Sequence, residues 1–190
     1  MTMRVVSLLL LVLISGSLQG CFPVVAAGVG ASVLIAQDRR PSEVFIDDQK
    51  IEAKAARLID KQINSVMHVN VTSFNYQVLI SGEAPDESTR AEIEKIVSGI
   101  EKVRNVDNEL AVSPTSSLAS RSNDGLITSN VKLRYMNNKR FNPDHIKVVT
   151  EKGTVYLMGL VNHAEADAAT EITSTTQGVQ RVVRMFEYLD

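Results

Sequence analysis

Tryptophan is absent from the 190 residues, cysteine occurs once, and aromatics make up only 5% of the chain. A single cysteine excludes an internal disulfide framework, the usual support for small secreted domains. A zinc site of the Cys/His type is excluded too, since His68, His145 and His163 are scattered. There is no surplus of positive charge: 20 Lys+Arg stand against 22 Asp+Glu. That balance argues against a broad nucleic-acid footprint. A catalytic constellation is also missing. His145 follows Pro143-Asp144, and His163 precedes Glu165 and Asp167, with no serine or cysteine placed beside either as a nucleophile. Paired acids such as Asp47-Asp48 and Asp86-Glu87 read as helix starts. The chain is therefore expected to have no enzyme activity, catalytic residue, metal or diffusible cofactor.

What is present begins at the first residues. Met1 to Arg4 carries one positive charge, and Val5 to Ile14 is apolar apart from Ser7. Small or neutral residues then lead to Leu18-Gln19-Gly20-Cys21. This is the charged, apolar and small-residue order of an export signal. The Leu-x-Gly-Cys ending resembles a lipobox, the processing site of bacterial lipoproteins. That resemblance implies a signal peptide over 1–20, cleavage before Cys21, and N-acyl and S-diacylglycerol groups (palmitate among them) on Cys21. Several acyl chains, at ~0.8 kcal/mol per buried methylene, hold where one chain is marginal. Phe22 follows the cysteine, not the Asp that resembles an inner-membrane retention signal. The expected location is the periplasmic face of the outer membrane. Two other readings stay open: an uncleaved anchor, since Val5–Ile35 contains the ~20 apolar residues a span needs, or an ordinary buried cysteine. Ser15, Gly16, Ser17, Gln19, Gly20 and Pro23 interrupt such a span.

Residues 21–44 read as the acylated N-terminus and a tether. Phe22 to Ala36 is rich in Gly, Ala and Val, and Gln37-Asp38-Arg39-Arg40-Pro41-Ser42 is a polar break. The rest of the chain repeats itself. Gln77-Val78-Leu79-Ile80-Ser81-Gly82-Glu83-Ala84 matches Thr154-Val155-Tyr156-Leu157-Met158-Gly159-Leu160-Val161. Val69-Asn70-Val71 matches Ile146-Lys147-Val148; Asp48, Ile51 and Ala55 match Asp124, Ile127 and Val131; Val103-x-x-Val106 matches Val179-x-x-Val182. One duplication explains every match. It predicts two small domains, 45–113 and 122–190, joined by a Ser/Pro/Thr-rich linker at 114–121.

Each copy reads as αββαβ. A first helix starts at an N-cap aspartate, Asp48 or Asp124, and in the first copy Ile51, Ala55, Leu58, Ile59 and Ile63 recur at helical spacing. Strands are predicted over 69–74 and 77–83, turning at Asn75-Tyr76, and over 145–150 and 153–161, turning at Glu151-Lys152-Gly153. A second helix is predicted over 86–98, capped by Asp86, and again over 163–176. Last strands follow over 103–112 and 179–188. The fold class is α+β, with two helices packed on a three-stranded mixed sheet in each copy. Contact between two domains of this size is expected to add stability.

The repeated unit resembles the BON domain of bacterial periplasmic and outer-membrane proteins. The carrying residues are Gly153-Thr154-Val155-Tyr156-Leu157-Met158-Gly159-Leu160-Val161, then Ala168-Ala169, then Gly178-Val179-x-x-Val182. The first copy keeps Val78-x-Ile80-x-Gly82, Val103-x-x-Val106 and Asn108-x-Leu110, with Lys102 where the second copy has glycine. With the lipobox, the chain resembles the dual BON-domain outer-membrane lipoproteins. That resemblance implies binding of anionic phospholipid by the first helix of the second domain, a part in envelope integrity and stress response, and recruitment to cell-division sites.

Comparing the copies gives an independent argument. Lys50, Arg57 and Asp60 of the first copy become Leu126, Leu133 and Met136 in the second, which share one helix face. Between Gly125 and Pro143 there is no acid, while Lys132, Arg134, Lys139 and Arg140 are present. The first copy holds 8 Lys+Arg against 12 Asp+Glu, the second 8 against 8. An apolar stripe flanked by cations suits an interfacial helix on an anionic surface. The candidate contact residues are Leu126, Ile127, Asn130, Lys132, Leu133 and Met136, with Lys139, Arg140 and Gly159 beside them. Leucine stands at 126 where the family often has a large aromatic, and Gly159 also reads as a structural glycine. Packing of the stripe against the first domain is the competing reading. The partners expected are phosphatidylglycerol and cardiolipin in the outer membrane, with docking of outer-membrane assembly machinery as the alternative and no nucleic acid.

Overall fold

The computed structural model describes residues 38–63 and 67–190. The expected signal peptide, Cys21 and the tether as far as residue 37 lie outside the described residues. In the first copy, α1 is Ser42–Gln62, β1 His68–Phe74, β2 Gln77–Ala84, α2 Glu87–Ser98 and β3 Asn105–Val112. In the second, α3 is Leu118–Met136, β4 Ile146–Glu151, β5 Thr154–Val161, α4 His163–Ser174 and β6 Arg181–Tyr188. A 3-10 turn, Pro143–His145, precedes β4. The central strand β2 pairs antiparallel with β1 and parallel with β3, and β5 does the same between β4 and β6. The helix between central and last strand is the crossover that a parallel pair requires. The α+β reading holds.

Alternation along the central strands divides each sheet into two faces. Val78, Ile80 and Ala84 turn toward α1 and α2, where they meet Ile51, Ala55, Ile59, Ile93 and Val97. Val155, Leu157 and Val161 turn toward α3 and α4, where they meet Ile127, Val131, Tyr135, Ala169 and Ile172. Each fully buried aliphatic chain contributes roughly 1.5–3 kcal/mol.

The first helices start earlier than the sequence suggested. α3 begins after Ser117, whose side chain accepts from the Ser120 amide, and α1 begins after Pro41. They take in 42–44 of the expected tether and 118–121 of the expected linker. Asp48 and Asp124 are not caps. Both are buried inside the helices and accept hydrogen bonds from hairpin amides: Asn75 N at 2.7 Å and Tyr76 N at 2.9 Å on Asp48, Lys152 N at 3.0 Å and Gly153 N at 2.9 Å on Asp124. These four turn residues have φ of +52°, +67°, +47° and +73°. Two-residue hairpins favour such left-handed pairs because they match the strand twist. Each non-glycine costs about 1 kcal/mol or more there, and the carboxylate bonds offset it. A short acid at the edge of an apolar stripe suits either role by sequence. Only the fold decides which amides it meets. The second helices follow expectation: Asp86 accepts from Thr89 N, and Asn162 forms a capping box with Glu165.

The other faces of the two sheets pack on each other. Phe74 and Leu79 from the first copy meet Tyr156, Met158 and Met185 from the second. Around this apolar centre lie Lys147–Glu52 at 2.7 Å, Lys152–Glu83 at 2.9 Å and Arg104–Glu187 at 2.8 Å. Asn75 in the first hairpin bonds Glu187 near the end of β6, while Lys152 in the second hairpin bonds Glu83 near the end of β2. Strands β2 and β5 therefore cross the seam in opposed directions.

Candidate functional site

Helix α3 is held by its inner face. Ile127, Val131 and Tyr135 fall four residues apart and are almost wholly buried. Tyr135 packs edge-to-face on Phe141, and its hydroxyl bonds Thr173 Oγ1 at 2.6 Å and Ala169 O at 3.1 Å. Burial pushes its pKa up to about 12. Arg134 ties the helix to α4, donating to Ile172 O at 2.6 Å and Thr176 Oγ1 at 2.7 Å. One of the four cations counted in the sequence is thus a fastener, and a second, Arg140, pairs with Glu171 at 2.6 Å. Lys132 and Lys139 are exposed, and neither forms an ion pair among the described residues.

The outer face is apolar and open. Leu126 is 65% exposed, Leu133 55% and Met136 69%, and Leu118 extends the stripe at 75%. The first copy does not cover it, because the copies meet through their sheets. Asn130 is exposed on the same helix. Two expected contact residues are placed differently. Ile127 is 3% exposed within the core, and Gly159 is buried in the central strand. A Cβ at Gly159 would stand 2.6 Å from His145 O, so the glycine permits close backbone approach and offers no surface. Leu118 went unread because the linker reading, 114–121, started the helix too late. The Ser117 cap candidate just before Leu118 was the signal available.

Among the described residues, no three His, Cys, Asp or Glu side chains gather to hold a metal, and no helix is long and apolar enough to cross a membrane. An apolar stripe on a firmly seated helix remains the main unspent chemistry.

The BON domain model matches residues 47–114 and 123–190, one match on each αββαβ unit. The chain belongs to the BON-domain family. The outer membrane lipoprotein DolP of Haemophilus influenzae is 36% identical over 175 residues, covering 91% of each chain. A 21 kDa hemolysin of Actinobacillus pleuropneumoniae is 30% identical over 80% of this chain and 79% of its own. The osmotically inducible protein Y of Escherichia coli is 30% identical over 73% and 71%. With two BON domains and similarity along nearly its full length, the protein is a dual BON-domain lipoprotein of the outer membrane.

Proposed function

We propose that this BON-domain lipoprotein binds anionic phospholipid through α3 and helps maintain the outer membrane. The observation that carries the reading is the exposed stripe Leu126, Leu133 and Met136 beside Lys132 and Lys139, which form no ion pair among the described residues. Apolar insertion and headgroup attraction act together at such a helix. Acyl chains on Cys21 supply the first attachment and α3 the second, so a weak contact gains from effective concentration. Phosphatidylglycerol and cardiolipin are the lipids proposed. Recruitment to division sites and a part in the envelope stress response are what the family resemblance adds.

The test is flotation of the 22–190 fragment with phosphatidylglycerol or cardiolipin vesicles against neutral ones, at low and high salt. Binding that needs anionic lipid, weakens with salt and is lost in Leu126→Asp is the expected result. A folded fragment that floats with neither lipid sinks the reading and leaves the stripe to a protein of the assembly machinery.

A further inference from the structure

Beyond α3, four large apolar side chains are exposed among the described residues: Ile46, Val112, Tyr188 and Leu189. Three of them gather at one end of the molecule. Leu189 N donates to Val161 O at 3.1 Å, where β5 ends. One residue before, Leu160 O accepts from Arg39 Nη1 at 2.9 Å, and the same guanidinium grips Glu165 with bonds of 2.7 and 2.8 Å. Arg40 reaches the first copy instead: it bonds Asp48 at 2.6 Å and lies 3.9 Å from the centre of the Phe74 ring. Asp38–Arg40 is thus clasped between the copies, and α1, with Ile46 in its opening turns, starts beside it. The His163 ring stacks on Tyr188 at 4.1 Å and bonds Asp190 at 2.8 Å, which holds Tyr188 and Leu189 in place. Helix α3 ends on this side as well. Its last residue, Met136, leads through Lys139 to β4, whose first residue Ile146 pairs with Gly159 beside Leu160.

We propose that Ile46, Tyr188 and Leu189, around the Asp38–Arg40 clasp, form a second lipid-contact surface, facing the bilayer that holds the chain's own anchor. The proposal rests on the acylation of Cys21. Asp38 is the first described residue, and the 16 residues between it and Cys21 can span at most ~3.5 Å each. The clasp sets the start of the described fold at this end, away from Val112, so this end lies nearer the anchor along the chain. Tyrosine suits the headgroup level, and isoleucine and leucine the acyl boundary below it. Met136 and Lys139 border the same end, so the C-terminal part of α3 meets the bilayer first.

The absence of tryptophan makes the test direct, because one introduced indole is the only one. The full acylated chain, placed in phosphatidylglycerol-containing vesicles with brominated acyl chains, is compared as Tyr188→Trp, Val112→Trp and Leu133→Trp. Tyr188→Trp is expected to lose about half its emission and Val112→Trp almost none. Adding Arg39→Ala with Glu165→Gln should draw the two together by releasing the clasp on the second copy. Equal quenching at 188 and 112 in the clasped chain overturns the proposal, as does a chain recovered without acyl groups. Quenching at 188 without quenching at 133 keeps this surface and removes α3 as a lipid reader. The reverse keeps α3 and removes this surface.

Discussion

The first helices of the two copies bury matching positions and present different ones. Ile51, Ala55 and Ile59 of α1 correspond to Ile127, Val131 and Tyr135 of α3, and all six are buried. Outward, Lys50, Arg57 and Asp60 of α1 stand where α3 carries Leu126, Leu133 and Met136. The inner face is set by the sheet it must cover, so it kept its apolar character after duplication. The outer face answers to whatever lies outside, so the two have parted. Function is therefore sought on the face where the copies disagree.

The strongest way to strain the comparison is at the paired strand glycines. Gly82 has φ +115°, and a Cβ there would stand 2.0 Å from His68 O; at Gly159 the corresponding approach to His145 O is 2.6 Å. Gly82→Ala is expected to cost more than about 3 kcal/mol and Gly159→Ala about 2 kcal/mol in chemical denaturation. Equal costs would show that the two sheets relax alike. Next come the turn-holding acids. Asp48 bonds two turn amides, Ser73 Oγ at 2.6 Å and the buried Arg40, whereas Asp124 bonds two turn amides. Asp48→Ala should cost about 3 kcal/mol, since it removes the two turn bonds, the Ser73 bond and one of the two carboxylates (Asp38 is the other) on the buried Arg40, and Asp124→Ala about 1–2 kcal/mol.

Exposed positions should separate binding from folding. Leu133→Asp is expected to weaken vesicle binding at least about tenfold while shifting stability by no more than about 0.5 kcal/mol. The reciprocal triple change Lys50→Leu, Arg57→Leu and Asp60→Met should give the first copy measurable affinity for vesicles; no gain would mean that the stripe alone is insufficient. The smallest effect concerns pH. Burial, with the charges of Glu83 and Asp124 adding to it, pushes the Glu151 carboxyl up, while the Arg39 guanidinium holds Glu165 down. A raised folded pKa stabilises below the ordinary carboxylate range and loses that contribution as pH rises through it. A lowered one stabilises above that range and loses its contribution on acidification. Glu151→Gln should therefore raise stability near neutrality and leave it unchanged in acid. Glu165→Gln should lower stability near neutrality, with the deficit closing as Glu165 itself protonates. Thermal scans across pH read both.

Much of this was legible in the chain. The strands at 69–74 and 77–83 lie within one residue of those observed, because alternation and a two-residue turn leave little choice of register. Asp86 is the cap it resembles. Asp48 and Asp124 are not, because a carboxylate bonds the nearest free amides, and those belong to hairpins far along the chain. The stripe at 126, 133 and 136 was visible as a contrast between copies, but its exposure was not, since covering by the first domain fitted the same residues.

By itself, the sequence determined the duplication, the αββαβ order, the inward positions of each helix and the cations around α3, all of which follow from local periodicity and composition. Tertiary structure alone decided that the sheets meet back to back, that the outer face of α3 stays uncovered among the described residues, and that Arg39 and Arg40 bind the segment 38–40 to both copies. Those outcomes depend on which surfaces find each other across long separations, and no local pattern encodes a partner that distant.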